Sequence, residues 1–328
     1  MLPAQSTTAE SHSQPPLAQL RHWCAWFLCI SFFYMVPMEL STLEWQKTEE
    51  GLWRIQSAET PSLWIAFQYL LWMIVTFISS LLFILTGSVQ NFAYEKFAFQ
   101  KQVEGLTVVY YFAWVQFLTM VTLFPYFFIS GFGGLEWLDS FFSFLPHFIM
   151  VGTALVLFRG SWEALGFDRP RASRWLMMIG VVAGSYLLVF FFLDSLVTEP
   201  VARWFNLELA SWREDDISAG ISQAVESGWV FVLFQLLIIG VVGPIAEEVV
   251  FRGLLMKLMW RKIGVGLSIL LSSVIFALFH ADVAFFAPLL AMGLVMGILY
   301  AWFRSLWAPI LFHIVNNSVS VLFEVFGF

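Results

Sequence analysis

Residues 228–257 read GWVFVLFQLLIIGVVGPIAEEVVFRGLLMK, an apolar run interrupted by Glu247, Glu248 and Arg252. It exceeds the roughly 20 residues needed to cross about 30 Å of hydrocarbon, so its length marks a membrane-spanning helix. The Gly243-Pro244 pair inside it is a place to kink the helix or divide it in two. An isolated charge at bilayer depth costs several kcal/mol, and three close together need partners and a reason.

Runs of the same kind recur on both sides. Besides 228–257 they cover His22 to Met38, Pro61 to Gly87, Leu106 to Ile129, Leu138 to Phe158, Trp175 to Leu193, Ile263 to His280, Val283 to Phe303 and Leu306 to Phe326. The first is short and the one carrying Gly243-Pro244 is long, so about 8 to 10 helices are expected. Of 328 residues, 60% are hydrophobic and 12% charged, about half the charged fraction of a soluble domain. Mean hydropathy is +0.80. The 37 Phe and 16 Trp suit lipid-facing helices with aromatic belts. A membrane β-barrel would show short segments of alternating polarity instead. The predicted fold is all-α, a polytopic transmembrane helix bundle.

The net charge of -7, with no basic patch, excludes nucleic acid as a partner. Cys24 and Cys29 match neither a zinc nor a CxxC redox spacing. The stretch before Arg21 is polar and nearly free of positive charge, which reads as a soluble tail rather than a cleavable signal. The loops alternate in charge. Arg159, Arg169, Arg171 and Arg174 make one basic loop, and Lys257, Arg261 and Lys262 another. The loop from Glu39 to Glu59 has five acids against Lys47 and Arg54, and that from Asp194 to Glu226 seven acids against Arg203 and Arg213. The excess of Lys and Arg puts the basic loops and the N-terminus in the cytoplasm. The loop from Asp194 to Glu226 is expected to hold an interfacial amphipathic helix containing Trp204 and Trp212.

A soft boundary falls near Arg159 to Arg174. Before it, polar groups in apolar runs are scattered singly, as with Gln68, Gln116 and His147. After it they fall into patterned pairs. Glu248 and Arg252 are four apart on one helix face and can form an ion pair. Glu247 is turned about 100° from Glu248 and has no partner within the segment. An unpaired buried carboxylate is the better candidate for a general base that takes a proton from water. The bland alternative is that both acids are glue between helices.

Two further elements follow. Phe276-Ala277-Leu278-Phe279-His280 ends an apolar helix with a histidine on the face of Phe276, a residue that could equally be an interhelical hydrogen bonder. In His313-Ile314-Val315-Asn316-Asn317, His313 and Asn317 are four apart and point to one place, where two donors could stabilise an oxyanion. Three such elements on three helices supply a base, a braced acid, a histidine and a donor pair.

At these residues the sequence resembles the CPBP family of intramembrane proteases, also called the Abi family, whose members include the type II CAAX prenyl endopeptidases. The family pattern EExxxR, FxxxH and HxxxN is present without substitution. The chain is expected to divide into a polar cytoplasmic tail over 1–21 and a transmembrane region of unassigned role over 22–160, and the resemblance, which covers roughly Trp175 to Phe328, implies a protease domain over 161–328 with its site between the C-terminal helices. Glu247 and His280 would activate water, His313 and Asn317 would bind the oxyanion, and Glu248 with Arg252 would support the site. It further implies a multi-pass protein of the bacterial inner membrane acting on a membrane-embedded or lipid-modified peptide within the lipid bilayer. No cofactor is expected. Zinc, for which Glu and two His could serve as ligands, is the alternative. A transporter or proton-relay protein is the rival from another class, since such paths use the same buried charges, and a non-proteolytic scaffold or immunity member of the family is a third reading.

Overall fold

In hydrocarbon the backbone can satisfy its N–H and C=O groups only internally, so each apolar run closes into a helix. The structure, a computed structural model, describes residues 16–58, 60–99, 102–129, 136–168 and 172–327. Most of the expected polar tail, and Arg169 and Arg171 of the first basic loop, lie outside these residues. In chain order, helix α1 (Pro16–Leu40) leads into a hairpin of β1 (Leu43–Lys47) and β2 (Trp53–Ser57), paired antiparallel with Trp45 opposite Ile55. Then come α2 (Leu63–Val89), α3 (Ala93–Ala98), α4 (Gly105–Ile129), α5 (Glu136–Leu157), α6 (Trp162–Leu165) and α7 (Ala172–Leu193). After a π-helical turn follow α8 (Glu199–Phe205), α9 (Trp212–Ser227) and α10 (Trp229–Leu237). The rest comprises α11 (Gly243–Glu248), α12 (Lys257–Ile263), α13 (Val265–Phe279), α14 (Phe286–Phe303) and α15 (Trp307–Phe326).

All nine expected apolar runs fall on helices. Among the described residues, 7 helices are long and apolar enough to span a membrane, and Phe144–Leu157 and Val265–Phe279 are shorter apolar helices. The chain is a polytopic integral membrane protein of all-α class, with the β1–β2 hairpin as an addition that the loop's acidity did not foretell. Two boundaries also differ. The first helix starts at Pro16, ahead of Arg21. The fifth crossing runs on through the acidic Asp194 and Glu199 as one apolar helix, Ser173–Phe205. The amphipathic helix of that loop is α9, with Trp212 as its first residue and Ser211 as its cap, accepting from the Glu214 N–H at 3.0 Å. Trp204 lies on α8 instead and is exposed.

Contacts between loops obey the alternation that nine crossings require. On one face, the Arg54 guanidinium donates to both carboxylate oxygens of Glu208 at 2.6 Å, Arg213 lies 3.6 Å from Glu39, and Ser211 hydrogen-bonds to Asp282. On the other, Lys257 Nζ donates to the Ala164 carbonyl at 2.7 Å and Arg261 to Gln102 at 2.6 Å. The Leu306 N–H donates there to the Gly166 carbonyl at 2.8 Å. The two basic loops therefore share a face, and the two acidic loops share the opposite one.

Packing is continuous across the Arg159 to Arg174 boundary. Phe32 on α1 lies 5.5 Å, centroid to centroid, from Phe279 on α13, and Phe279 lies 5.5 Å from Phe251. Between α13 and α14 the contact is close at Gly293, where a Cβ would come within 2.9 Å of the Ser273 Cβ, and at Gly297, where one would come within 2.9 Å of Ile269 Cγ2. Small residues that admit such an approach are how helices bind each other where lipid supplies no hydrophobic drive.

Candidate active site

Gly243-Pro244 neither divides the helix nor stands alone. Residues Trp229–Ile263 form one continuous span, with π-helical turns at Ile238–Val242 and Val249–Met256 on either side of α11. Proline lacks an N–H and its ring clashes with a carbonyl of the preceding turn. The wider turn just before Pro244 accommodates both defects, and π-turns of this kind concentrate at functional sites. Loosening the ladder there also presents carbonyls sideways. The Ile239 carbonyl accepts from Asn317 Nδ2 at 3.3 Å and the Gly240 carbonyl from Ser318 Oγ at 3.4 Å, which ties α15 to this span.

The ion pair expected from the i, i+4 spacing forms. Arg252 Nη1 donates to Glu248 Oε1 at 2.7 Å, and both side chains are fully buried. Arg252 Nη2 donates to the Gly293 carbonyl at 3.0 Å, and its guanidinium lies 4.8 Å over the Phe276 ring. The close approach at Gly293 brings that carbonyl within reach. His313 Nδ1 is 3.0 Å from the same Glu248 oxygen. Facing a carboxylate, that nitrogen carries the proton, so Glu248 is shared by arginine and imidazole.

Glu247 is different. Its side chain is 19% exposed. Oε1 is 3.5 Å from His147 Nε2, and Oε2 is 3.9 Å from His313 Nε2. Among the described residues Oε2 receives no hydrogen bond. The sequence left Glu247 without a partner inside its own segment; other helices supply two imidazoles.

His280 closes α13. Its Nδ1 is 2.9 Å from the Phe276 carbonyl, an acceptor only, so Nδ1 is the donor and the neutral ring keeps a lone pair on Nε2. Its ring lies 4.7 Å, centroid to centroid, from Phe276, whose ring is in turn 5.9 Å from that of His313. Arg213 of α9 donates to the His280 backbone carbonyl at 2.5 Å, so the amphipathic helix clamps this corner.

The expected donor pair is modified. With Nδ1–H given to Glu248, a neutral His313 offers only a lone pair at Nε2, and it is the imidazolium that donates there. Asn317 uses one N–H on Ile239 and receives a bond from Asn316 at 3.3 Å. Its amide has a second N–H.

Glu247, Glu248, Arg252 and His313 are thus in direct contact, His280 stands beside them, and Asn317 lies one turn along α15 from His313. The residue that sequence reading missed is His147, from the region of unassigned role. It stood out only as a lone histidine in an apolar run, and no spacing rule connects α5 to α11.

Residues 228–319 match the family model described as "Type II CAAX prenyl endopeptidase Rce1-like". The chain is 30% identical over 113 residues to the Bacillus subtilis (strain 168) protein named "Putative membrane peptidase YdiL", covering 34% of this chain and 45% of the relative. It is 29% identical over 102 residues to the "Membrane-embedded CAAX protease MroQ" of Staphylococcus aureus (strain USA300), covering 29% of this chain and 40% of that protein. The match therefore spans less than half the length of either relative. No solved structure matches.

Proposed function

We propose, on the premise that residues 228–319 are a segment of the type II CAAX prenyl endopeptidase kind, that the chain is an intramembrane endopeptidase. It hydrolyses a peptide bond in a membrane-embedded or lipid-anchored substrate with water activated by Glu247 and His280. The observation that carries this reading is the division of labour between adjacent acids. Glu248 is fully buried and gives one oxygen to both Arg252 and His313, while Glu247, among the described residues, meets no guanidinium, faces only imidazoles and keeps 19% of its side chain exposed.

In this mechanism Glu247 takes a proton from water and His280 Nε2 holds the water's other hydrogen. The water oxygen bonds to the substrate carbonyl carbon, and the carbonyl electron pair moves onto its oxygen. His313 as imidazolium and the second N–H of Asn317 stabilise that oxyanion. The carbon–nitrogen bond then breaks and the proton held by Glu247 passes to the leaving amine. The face carrying Arg159, Arg174, Lys257, Arg261 and Lys262 is taken as cytoplasmic, which puts the acidic hairpin and α9 outside.

The test is cleavage of transmembrane and farnesylated CaaX peptides by purified protein in detergent, with Glu247→Ala and His280→Ala as controls. Equal cutting by either variant sinks the assignment. The chemistry proposed needs no metal. Among the described residues no three His, Cys, Asp or Glu side chains are placed to hold a metal ion; Glu and His are nonetheless residue types that zinc accepts, so a chelator arm is included. Activity lost to chelator and restored by zinc would overturn the metal-free mechanism.

The run of contacts from His147 through Glu247, His313 and Glu248 to Arg252 also favours a second reading, a proton relay. It is distinguished by proton flux into liposomes that disappears in Glu247→Gln.

A further inference from the structure

We propose that His147 is a positioning residue for Glu247, holding one carboxylate oxygen so that the other faces the reacting water. The proposal rests on the peptidase reading and extends it to a helix outside the matched segment 228–319.

Three observations support it. His147 Nε2 is 3.5 Å from Glu247 Oε1, while the other oxygen faces His313, so each oxygen has its own imidazole. The two helices are in van der Waals reach here: Gly243 of α11, one turn before Glu247, faces the imidazole, and a Cβ there would stand in ordinary contact with His147 Cδ2, at 3.9 Å. On the α5 side, Pro146 precedes the histidine and removes one helix hydrogen bond beside it. Finally, His147 Nδ1 is buried and without a hydrogen-bond partner among the described residues. His280 differs, because the Phe276 carbonyl anchors its ring. Among the described residues nothing of that kind orients His147 except its contact with Glu247.

The physical need is plain. A carboxylate turns freely about its last torsion, which has broad, roughly two-fold preferences. A general base has to place its lone pair about 2.6–3.2 Å from the proton it takes. Anchoring Oε1 removes the competing orientations, and misplacement by about 1 Å can cost on the order of 100-fold in rate.

The test uses the full chain in detergent and a quenched fluorescent peptide ending in a farnesylated cysteine and three residues. His147→Ala is expected to lower kcat about 10- to 100-fold while KM changes little. Added imidazole should raise the activity of His147→Ala but not of Glu247→Gln, and His147→Gln, which keeps an N–H donor, should recover part of the loss. Wild-type kcat in His147→Ala overturns the proposal, as does a loss that neither imidazole nor His147→Gln relieves. If wild type cleaves no probe, the peptidase reading fails, and thermal melts of His147→Gln, Glu247→Gln and the double variant decide the contact. Non-additive shifts support the coupling, and additive shifts overturn it.

Discussion

Among the described residues two arginine–glutamate pairs are buried, one in each half, and they differ in what surrounds them. Arg21 of α1 pairs with Glu95 of α3, and Trp114 Nε1 donates to the same oxygen at 3.1 Å. The guanidinium lies over Phe83 at 4.8 Å and Phe92 at 5.1 Å, and it crosses α2 at Gly87, where any Cβ would collide with it. Arg252 likewise pairs with Glu248, lies over Phe276 and meets a glycine, Gly293, on a facing helix. Both solve one problem: a charge taken out of water needs an opposite charge, further hydrogen bonds and a polarisable ring.

The first pair has one carboxylate in an aromatic enclosure, matched to one arginine. The second has an acid to spare. Glu247, next to Glu248 but turned away from Arg252, meets imidazoles instead of a guanidinium and is the most exposed of the three acids. A sealed pair holds helices together, whereas a pair with an unneutralised neighbour can do chemistry.

The largest expected effect breaks the comparison at that neighbour. Glu247→Gln should lower kcat about 10²- to 10⁴-fold, the range for general acid–base catalysis, with melting temperature nearly unchanged. A large fall in melting temperature with residual activity would make Glu247 a structural residue like Glu95. Next come the arginines. Arg252→Ala and Arg21→Ala should each destabilise by about 3 to 5 kcal/mol, because each leaves a buried carboxylate uncompensated. Turnover per folded molecule should fall only in Arg252→Ala, measured below both melting temperatures. Equal turnover losses in the two would erase the distinction.

Smaller effects sharpen it. Gly293→Ala should cost about 1 to 3 kcal/mol through overpacking against Ser273, and by displacing the Gly293 carbonyl it should lower activity as well. A thermal shift without any activity change would detach Gly293 from the site. The smallest effect concerns the exposed Arg54–Glu208 pair. The hydrogen bond from Arg54 holds the Glu208 carboxyl below the usual carboxylate range. A lowered pKa in the fold contributes stability above the unfolded-state value and loses it as pH falls through the folded one. Exposed pairs contribute little, so Arg54→Ala should barely change the melting temperature at neutral pH and should slightly flatten its decline in acid. A large shift at neutral pH would show that the hairpin clip matters more than its exposure suggests.

Helix count, class and the Glu248–Arg252 pair were legible in the sequence because each depends on local quantities. Crossing length follows from bilayer thickness, and an i, i+4 pair from helical pitch. Even the π-turn before Pro244 had a local signal, in the proline that it accommodates. Helix phase separated Glu247 from Glu248, and the structure keeps that separation. Less legible were the ends of elements, such as Pro16 and the helix running through Asp194 to Phe205, where apolar neighbours carry acidic residues along.

What the tertiary structure alone decided is who meets Glu247. His147 and His313 arrive from α5 and α15, elements with no fixed register to α11 until the bundle packs. Sharing of Glu248 between Arg252 and His313 sets the proton on His313 Nδ1, and no spacing within a single helix could have shown it. By itself the sequence determined the membrane class, the crossings and the residues able to carry charge at depth, since hydropathy and helical period act along the chain. Packing decided which of those charges are spent on one another and which stays open, because interhelical distances are set by side-chain volume and by glycine contacts such as Gly293 and Gly243.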